Sequence, residues 1–174
     1  RGVFDWWPTA SVQRLIVFGN DGTLYRDTGG GTFAVTLKSG LAAEGLPVFC
    51  EGGAEALANS KKLFFTTGSD VVQVLSADGV TTSDIGVNKP ADWSGANQPR
   101  FLFFHRNRVF GGLLHRAYWS RTTDHEDYQG AGSGVQPVYP GQGSYLQGGV
   151  SFKELAWLFK WPRGIYKLDD SDLD

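Results

Sequence analysis

Arg108-Val109-Phe110-Gly111-Gly112, then Leu113 to Arg116, then Ala117-Tyr118-Trp119-Ser120, reads as an antiparallel hairpin. A charged residue opens a run of apolar and aromatic side chains that favour a pleated, half-buried backbone. A short polar stretch follows, and a second aromatic run ends the unit. The pattern recurs in the chain. Arg14-Leu15-Ile16-Val17-Phe18-Gly19, Lys62-Leu63-Phe64-Phe65 and Glu154-Leu155-Ala156-Trp157-Leu158-Phe159 match the first run, so the four starts fall at 14, 62, 108 and 154. Each is followed by a turn and a second run: Thr23-Leu24-Tyr25-Arg26, Val71-Val72-Gln73-Val74-Leu75, Ala117 to Ser120, and Gly164-Ile165-Tyr166-Lys167-Leu168.

The spacings of 48, 46 and 46 residues set the expected architecture. Propeller blades run to roughly 40–50 residues each, and stacked blades cover faces that one blade leaves bare. The chain is therefore read as all-β, a propeller-like array of antiparallel blades. At about 46 residues per repeat, 174 residues supply slightly fewer than four, so the array is expected to be partial or minimal. The alternative is a β-sandwich with evenly spaced strands. Residues 1–174 are read as one such domain or a fragment of one, with a Gly-rich loop or arm at 129–149 and an acidic tail at 169–174.

Composition agrees with this reading. Glycine fills 24 positions, aromatics make up 14% of the chain, and only 20% is charged, which suits turns and packed faces rather than disorder. Asp21-Gly22 and Asp78-Gly79 mark tight turns, because glycine tolerates the positive φ such turns need. Helical signal is confined to Ala54-Glu55-Ala56-Leu57-Ala58, hemmed in by Gly52-Gly53 and Asn59-Ser60. The longest apolar runs are a few residues, as at Phe101-Leu102-Phe103-Phe104, so no membrane-spanning helix is expected. The start lacks both a secretion-signal pattern and an initiator Met, which leaves completeness open. Cys50 is the single cysteine, so an internal disulfide is excluded; beside Val48 and Phe49 it reads as a small buried hydrophobe.

The net charge of −2 conceals an uneven distribution. Residues 1–99 carry −3, residues 100–167 carry +5, and 168–174 carry −4. Arg100, Arg106, Arg108, Arg116 and Arg121 dominate the basic stretch, but they alternate with strand residues. A solvated strand face or subunit contact is therefore preferred over nucleic-acid binding.

Enzyme chemistry has little footing in these residues. Gly29-Gly30-Gly31 precedes a strand-like segment, so it lacks the strand–loop–helix setting of a phosphate cradle. His105, His115 and His125 do not have zinc-ligand spacing; the first two are read as exposed turn residues. The cluster Asp124-His125-Glu126-Asp127 could serve a hydrolase. A structural use is preferred: Thr123-Asp124-His125-Glu126 fits a capping box that starts a helical turn and ends with Tyr128 packed inward. Ser76-Ala77-Asp78-Gly79-Val80-Thr81-Thr82 is a shifted near-miss to the Asp boxes of sialidase-like propellers. No catalytic residue, cofactor or metal ligand is assigned.

From Pro99 to Tyr128 the residues resemble a known signature. Arg108-Val109-Phe110-Gly111-Gly112, Tyr118-Trp119-Ser120 and Asp124-His125-Glu126-Asp127-Tyr128 look like a motif of bacteriophage virion proteins with propeller folds, including tail nozzle (tail tubular) and related tail or head–tail proteins. Leu158-Phe159-Lys160-Trp161-Pro162-Arg163-Gly164-Ile165-Tyr166-Lys167-Leu168 is similar to a second segment of that family, in which an apolar strand ends in Lys and a turn leads to Gly-Ile-Tyr-x-Leu. The family's nozzle proteins are much longer than this chain. The resemblance implies a structural role rather than an enzymatic one: part of a homo-oligomeric ring or conduit in the virion, assembled in the host cytoplasm, touching other tail or portal-adaptor proteins. DNA would pass through without specific binding, which a neutral to acidic lining favours. Trp93, Trp119, Trp157 and Trp161 are read first as core, and second as contacts between copies. The alternatives are a receptor or glycan-binding module and, behind it, a propeller hydrolase.

Overall fold

The computed structural model describes residues 1–52, 61–141, 143–162, 164–169 and 173. They form fifteen strands and, among the described residues, no helix. The strands make four antiparallel sheets, each a meander in which every strand pairs with the next in sequence. The first sheet holds β1 (Gly2–Thr9), β2 (Val12–Phe18), β3 (Leu24–Arg26) and β4 (Val35–Lys38). The second holds β5 (Val48–Gly52), β6 (Lys62–Thr66), β7 (Gln73–Leu75) and β8 (Thr82–Asp84). The third holds β9 (Phe101–His105), β10 (Arg108–Leu113), β11 (Arg116–Trp119) and β12 (Gly134–Pro137). The fourth has three strands, β13 (Tyr145–Phe152), β14 (Leu155–Trp161) and β15 (Ile165–Leu168).

The repeat read from sequence maps onto this order. Its first run lies in the second strand of each sheet, β2, β6, β10 and β14, and its second run overlaps the third strand, β3, β7, β11 and β15. Turn chemistry explains the hairpins. Gly22 and Gly79 adopt φ of 71° and 73°, the left-handed region that only glycine enters at no steric cost. Arg106-Asn107 (φ 44° and 56°) and Lys153-Glu154 (φ 49° and 61°) take paired positive φ between β9 and β10 and between β13 and β14. This mirror-image geometry matches the twist of the flanking strands.

Three apolar cores alternate with the four sheets. Trp6, Ile16, Phe18 and Leu24 of the first sheet close on Leu63, Phe65 and Leu75 of the second. Cys50, Phe64 and Val74 of the second close on Leu102, Val109 and Tyr118 of the third, with Trp93 and Tyr128 between them. Phe101, Phe103, Phe110 and Trp119 of the third close on Leu146, Ala156, Leu158 and Leu168 of the fourth. A sandwich would enclose one core between two sheets. Among the described residues, none of the three cores joins the fourth sheet to the first.

Several expectations are changed by tertiary contacts. The segment 129–149 is not one loop or arm: β12 adds to the third sheet, and Tyr145 to Gly149 belong to β13. Glycine weakened the local strand signal there, yet strand addition satisfies the backbone. His105 is buried rather than exposed. Its ring meets Phe110 edge-on, and its Nδ1 lies 2.8 Å from Ser151 Oγ. His115 is half-buried, its ring 5.0 Å from that of Tyr145. The capping box does not form. Instead Asp124 Oδ1 accepts the Glu126 amide at 3.0 Å, and the Asp124 carbonyl accepts the Asp127 amide at 3.2 Å. That turn leads into Tyr128, which is buried as expected. The helical stretch Ala54–Ala58 lies outside the described residues. Of the acidic tail, Asp169 is exposed and bridges Lys167 at 3.3 Å, while Leu173 packs into the third core; 170–172 and 174 lie outside the described residues.

Candidate assembly face

The signature residues divide by position into two groups. The first group, from Arg108 to Tyr128, makes the third sheet a wall with two packed sides: Tyr118 and Tyr128 join the core shared with the second sheet, and Trp119 the core shared with the fourth. Gly111 and Gly112 lie in β10, where neighbouring rings occupy the space a side chain would need. A Cβ on Gly111 would stand 2.7 Å from the Trp93 indole, and one on Gly112 would collide with the Phe101 ring. Tyr118 is buried and donates its hydroxyl to Asp92 Oδ2 at 2.5 Å; Arg116 pairs with the same carboxylate. Burial and this bond push the Tyr118 phenol up to about 12. The Tyr118 bond, with Arg116 in support, holds Asp92 below the usual carboxylate range.

Trp119 stacks on Phe110 at 5.9 Å. Ser120 is fully buried: its Oγ accepts the Val109 amide at 3.0 Å and donates to the Arg121 carbonyl at 3.1 Å. Arg108 donates from Nε to the Gly132 carbonyl at 3.2 Å.

The acidic residues of the signature also have partners in the fold. Glu126 receives Lys62 Nζ at 2.6 Å and the Gly86 amide at 3.3 Å, which ties the third sheet's loop to β6. Asp127 Oδ1 accepts the Gln129 and Gly130 amides at 3.0 Å each, and its Oδ2 meets Arg121 at 3.3 Å. Those amides, with the Arg121 guanidinium, lower the Asp127 carboxyl below its ordinary range. Tyr128 donates its amide to the Asn88 carbonyl at 2.9 Å and packs its ring on Trp93 at 4.9 Å. His125 is buried beside these groups, its Nε2 2.9 Å from the Asn107 carbonyl, and desolvation lowers its pKa below 6.5.

Two surface depressions flank this wall. One of about 580 Å³ is lined by Asp92, His115, Arg116, Tyr118, Pro137 and Pro140. The other, of about 280 Å³, is lined by Lys62, Gly86, Asn88, Asp124, Glu126 and Asp127. Among the described residues, no group of three or more His, Cys, Asp or Glu side chains could hold a metal ion. Burial pushes the Cys50 thiol far up, so it remains a neutral thiol in the core.

The second signature group lies in the fourth sheet. Lys160 is buried and donates to the carbonyls of Val138 and Tyr139, both at 2.8 Å. Gly164 takes φ 112° in the β14–β15 turn, and its carbonyl accepts the Lys160 amide at 3.0 Å. Tyr166 is half-buried against Tyr139, with ring centroids 5.1 Å apart. Ile165 points away from that core and is 67% exposed.

Strand alternation makes the fourth sheet two-sided. Ala156, Leu158 and Lys160 of β14 face the third sheet and are buried. Trp157, Phe159 and Trp161 occupy the other face. Register aligns them with apolar neighbours: Tyr145 opposes Trp161, Val150 opposes Trp157, and Phe159 opposes Ile165. The outcome is an aromatic surface on which Trp161 is 72% exposed and Phe152 58%. Of the four tryptophans noted in the sequence, Trp93 and Trp119 are therefore core, while Trp157 and Trp161 lie on this outer face. Tyr145, Val150 and Phe152 are members that sequence reading missed, because they follow or interrupt the Gly-rich segment. The signal available was the two-sided hydrophobicity of residues 155–161, which exceeds what one buried face requires.

No protein-family model matches the chain, and no curated protein matches it either.

Proposed function

We propose that this chain is a structural component of a bacteriophage tail or head–tail assembly, its four sheets acting as blades of a propeller-like array that forms part of a ring or conduit for genome passage. The observation that carries the reading is the outer face of the fourth sheet. Sheets stack through apolar faces three times within the chain, and the last one presents a further apolar face to solvent. Large exposed aromatic surfaces of this kind mark sites of association. Other tail or portal-adaptor proteins would flank the ring in the virion.

The arginine distribution supports passage of DNA without a grip on it. Arg100 donates to Gln147, Arg108 to the Gly132 carbonyl, Arg116 to Asp92 and Arg121 to Asp127. Guanidinium groups engaged in the fold offer less to phosphate than a free basic stripe would. Antibodies against the chain should label the tail or neck of tailed virions from the same source. Its peptides should also persist in nuclease-treated, gradient-purified particles, and their absence would overturn the reading.

A second reading is favoured by one pair. Trp161 and Tyr145 stand opposite each other on adjacent strands and are both exposed, an arrangement that can stack on sugar rings. A receptor or glycan-binding module would show glycan-array binding that Trp161→Ala removes.

A further inference from the structure

The groove beside the β10–β11 turn carries hydrogen-bonding groups that the fold does not use. Its volume is about 580 Å³, within the size range of small-molecule sites. One bank is the loop before β9, with Asp92, Ser94 and Asn97, and the other is the turn Leu113 to Arg116. Both banks are fixed from behind. Trp93 is fully buried in the core between the second and third sheets and anchors the loop. The loop's own turns close from the Trp93 amide to the Pro90 carbonyl at 2.9 Å and from the Asn97 amide to the Ser94 carbonyl at 3.0 Å. Across the groove, the Leu114 and His115 carbonyls accept the Leu146 and Val138 amides at 2.7 and 2.6 Å. A site held this way loses little freedom when a ligand enters.

The polar groups of the groove are only partly spent. The Tyr118 hydroxyl and the Arg116 guanidinium both bond Asp92 Oδ2. Among the described residues no bond reaches Asp92 Oδ1, an acceptor with two lone pairs. Arg116 bonds Asp92 through Nη1, and its side chain is 55% exposed with further N–H donors to offer. Ser94 and Asn97 are exposed, and neither side chain bonds another described residue. His115 Nδ1 has no hydrogen-bond partner among the described residues, so the fold does not commit that ring through it.

Charge selects the ligand class. One carboxylate and one guanidinium compensate each other here, so an anion would meet Asp92 and a cation would meet Arg116. A neutral polyol avoids both penalties. Each hydroxyl donates and accepts, so two adjacent ones can accept from Arg116 and donate to Asp92 Oδ1 together. Leu113, Pro137 and Pro140 supply apolar wall for the C–H face of a ring. At one end the His115 ring lies 5.0 Å from that of Tyr145, which stands opposite Trp161. We propose that this groove binds a neutral saccharide, its adjacent hydroxyls held by Asp92 and Arg116, with Asn97 beside them and a second sugar ring reaching the Tyr145–Trp161 pair. The groove is a site of its own, independent of the virion role, and it rests on the glycan reading only for the second ring.

Titration of the ¹⁵N-labelled chain with glucose, galactose, N-acetylglucosamine, maltose and chitobiose tests this, read from amide chemical shifts. The shifts should cluster at 91–97 and 113–116, and inorganic phosphate should leave those amides in place. Asn97→Ala removes a side chain that the fold does not use, and Asp92→Asn keeps the shape while removing the charge. Each should weaken sugar binding roughly tenfold, with circular dichroism confirming that both variants fold. Trp161→Ala should remove only the gain of a disaccharide over its monosaccharide. The proposal is overturned if none of the five sugars moves the groove amides, if phosphate moves them more than the sugars do, or if both groove variants bind like the unaltered chain. Sugar binding that survives Trp161→Ala undiminished leaves the groove standing and removes the stacking pair. Binding lost in Trp161→Ala but intact in both groove variants keeps the pair and removes the groove.

Discussion

The junction between the second and third sheets and the outer face of the fourth sheet are made of similar residues in similar strands, and they end in opposite states. At the junction Trp93 and Tyr128 are enclosed, Gly111 makes room for the indole, and Lys62–Glu126 and Ser120–Val109 fix the surrounding backbone. On the outer face Trp157, Phe159 and Trp161 line up with, among the described residues, no polar tie to a neighbouring sheet; Trp157 Nε1 donates within its own sheet, to the Phe152 carbonyl. Apolar composition alone therefore does not separate core from surface. The difference lies in whether, among the described residues, a second sheet packs against the face.

The sharpest way to break the contrast is to empty the junction. Trp93→Ala should lose about 3–5 kcal/mol of unfolding free energy, read from the denaturant midpoint with an unchanged slope. Filling it instead should cost less. Gly111→Ala places a methyl group against the Trp93 indole, and roughly 1–3 kcal/mol of overpacking is expected in the same titration. Ser120→Ala leaves the buried Val109 amide without its acceptor. About 1–3 kcal/mol should go with it, and exchange protection of the Val109 amide should fall.

A pH series sharpens the comparison further. Burial lowers the His125 pKa from 6.5 in the folded chain, so the unfolded chain binds more protons in the window just below 6.5. Stability should then decline as pH falls from 6.5 through the lower folded pKa, and His125→Gln should flatten that part of the profile. The smallest effect is reserved for the open face. Trp161→Ala should move the stability of the isolated chain by no more than about 0.5 kcal/mol, while association measured by sedimentation weakens. A large loss of stability in the isolated chain would mean that Trp161 is already covered.

Much of the architecture was legible because it is local. Apolar runs starting at 14, 62, 108 and 154 are set by strand periodicity and turn residues, and they fall in equivalent strands of the four sheets. Asp21-Gly22 and Asp78-Gly79 specify turns through their own backbone preferences. What was hidden depends on distant neighbours. His105 in a tight turn looks solvated until Ser151, far along the chain, meets its ring. Thr123 and Glu126 match a capping pattern, yet Glu126 is drawn to Lys62 across the sheets, and Asp124 nucleates the turn instead. Gly148 and Gly149 suggested a flexible arm. In the fold, Gly149 lets β13 lie directly on the rings of Phe101 and Phe103.

The sequence by itself determined the element type, the hairpin repeat and the tight turns, since each rests on residues within one strand or one turn. Tertiary structure decided which face of each sheet is covered. That choice separates Trp93 from Trp161, two identical side chains, through the presence or absence of a facing sheet. Burial is a property of pairs of distant segments, so the order in which sheets stack, and which face of each is buried, emerge only once the cores between them have closed.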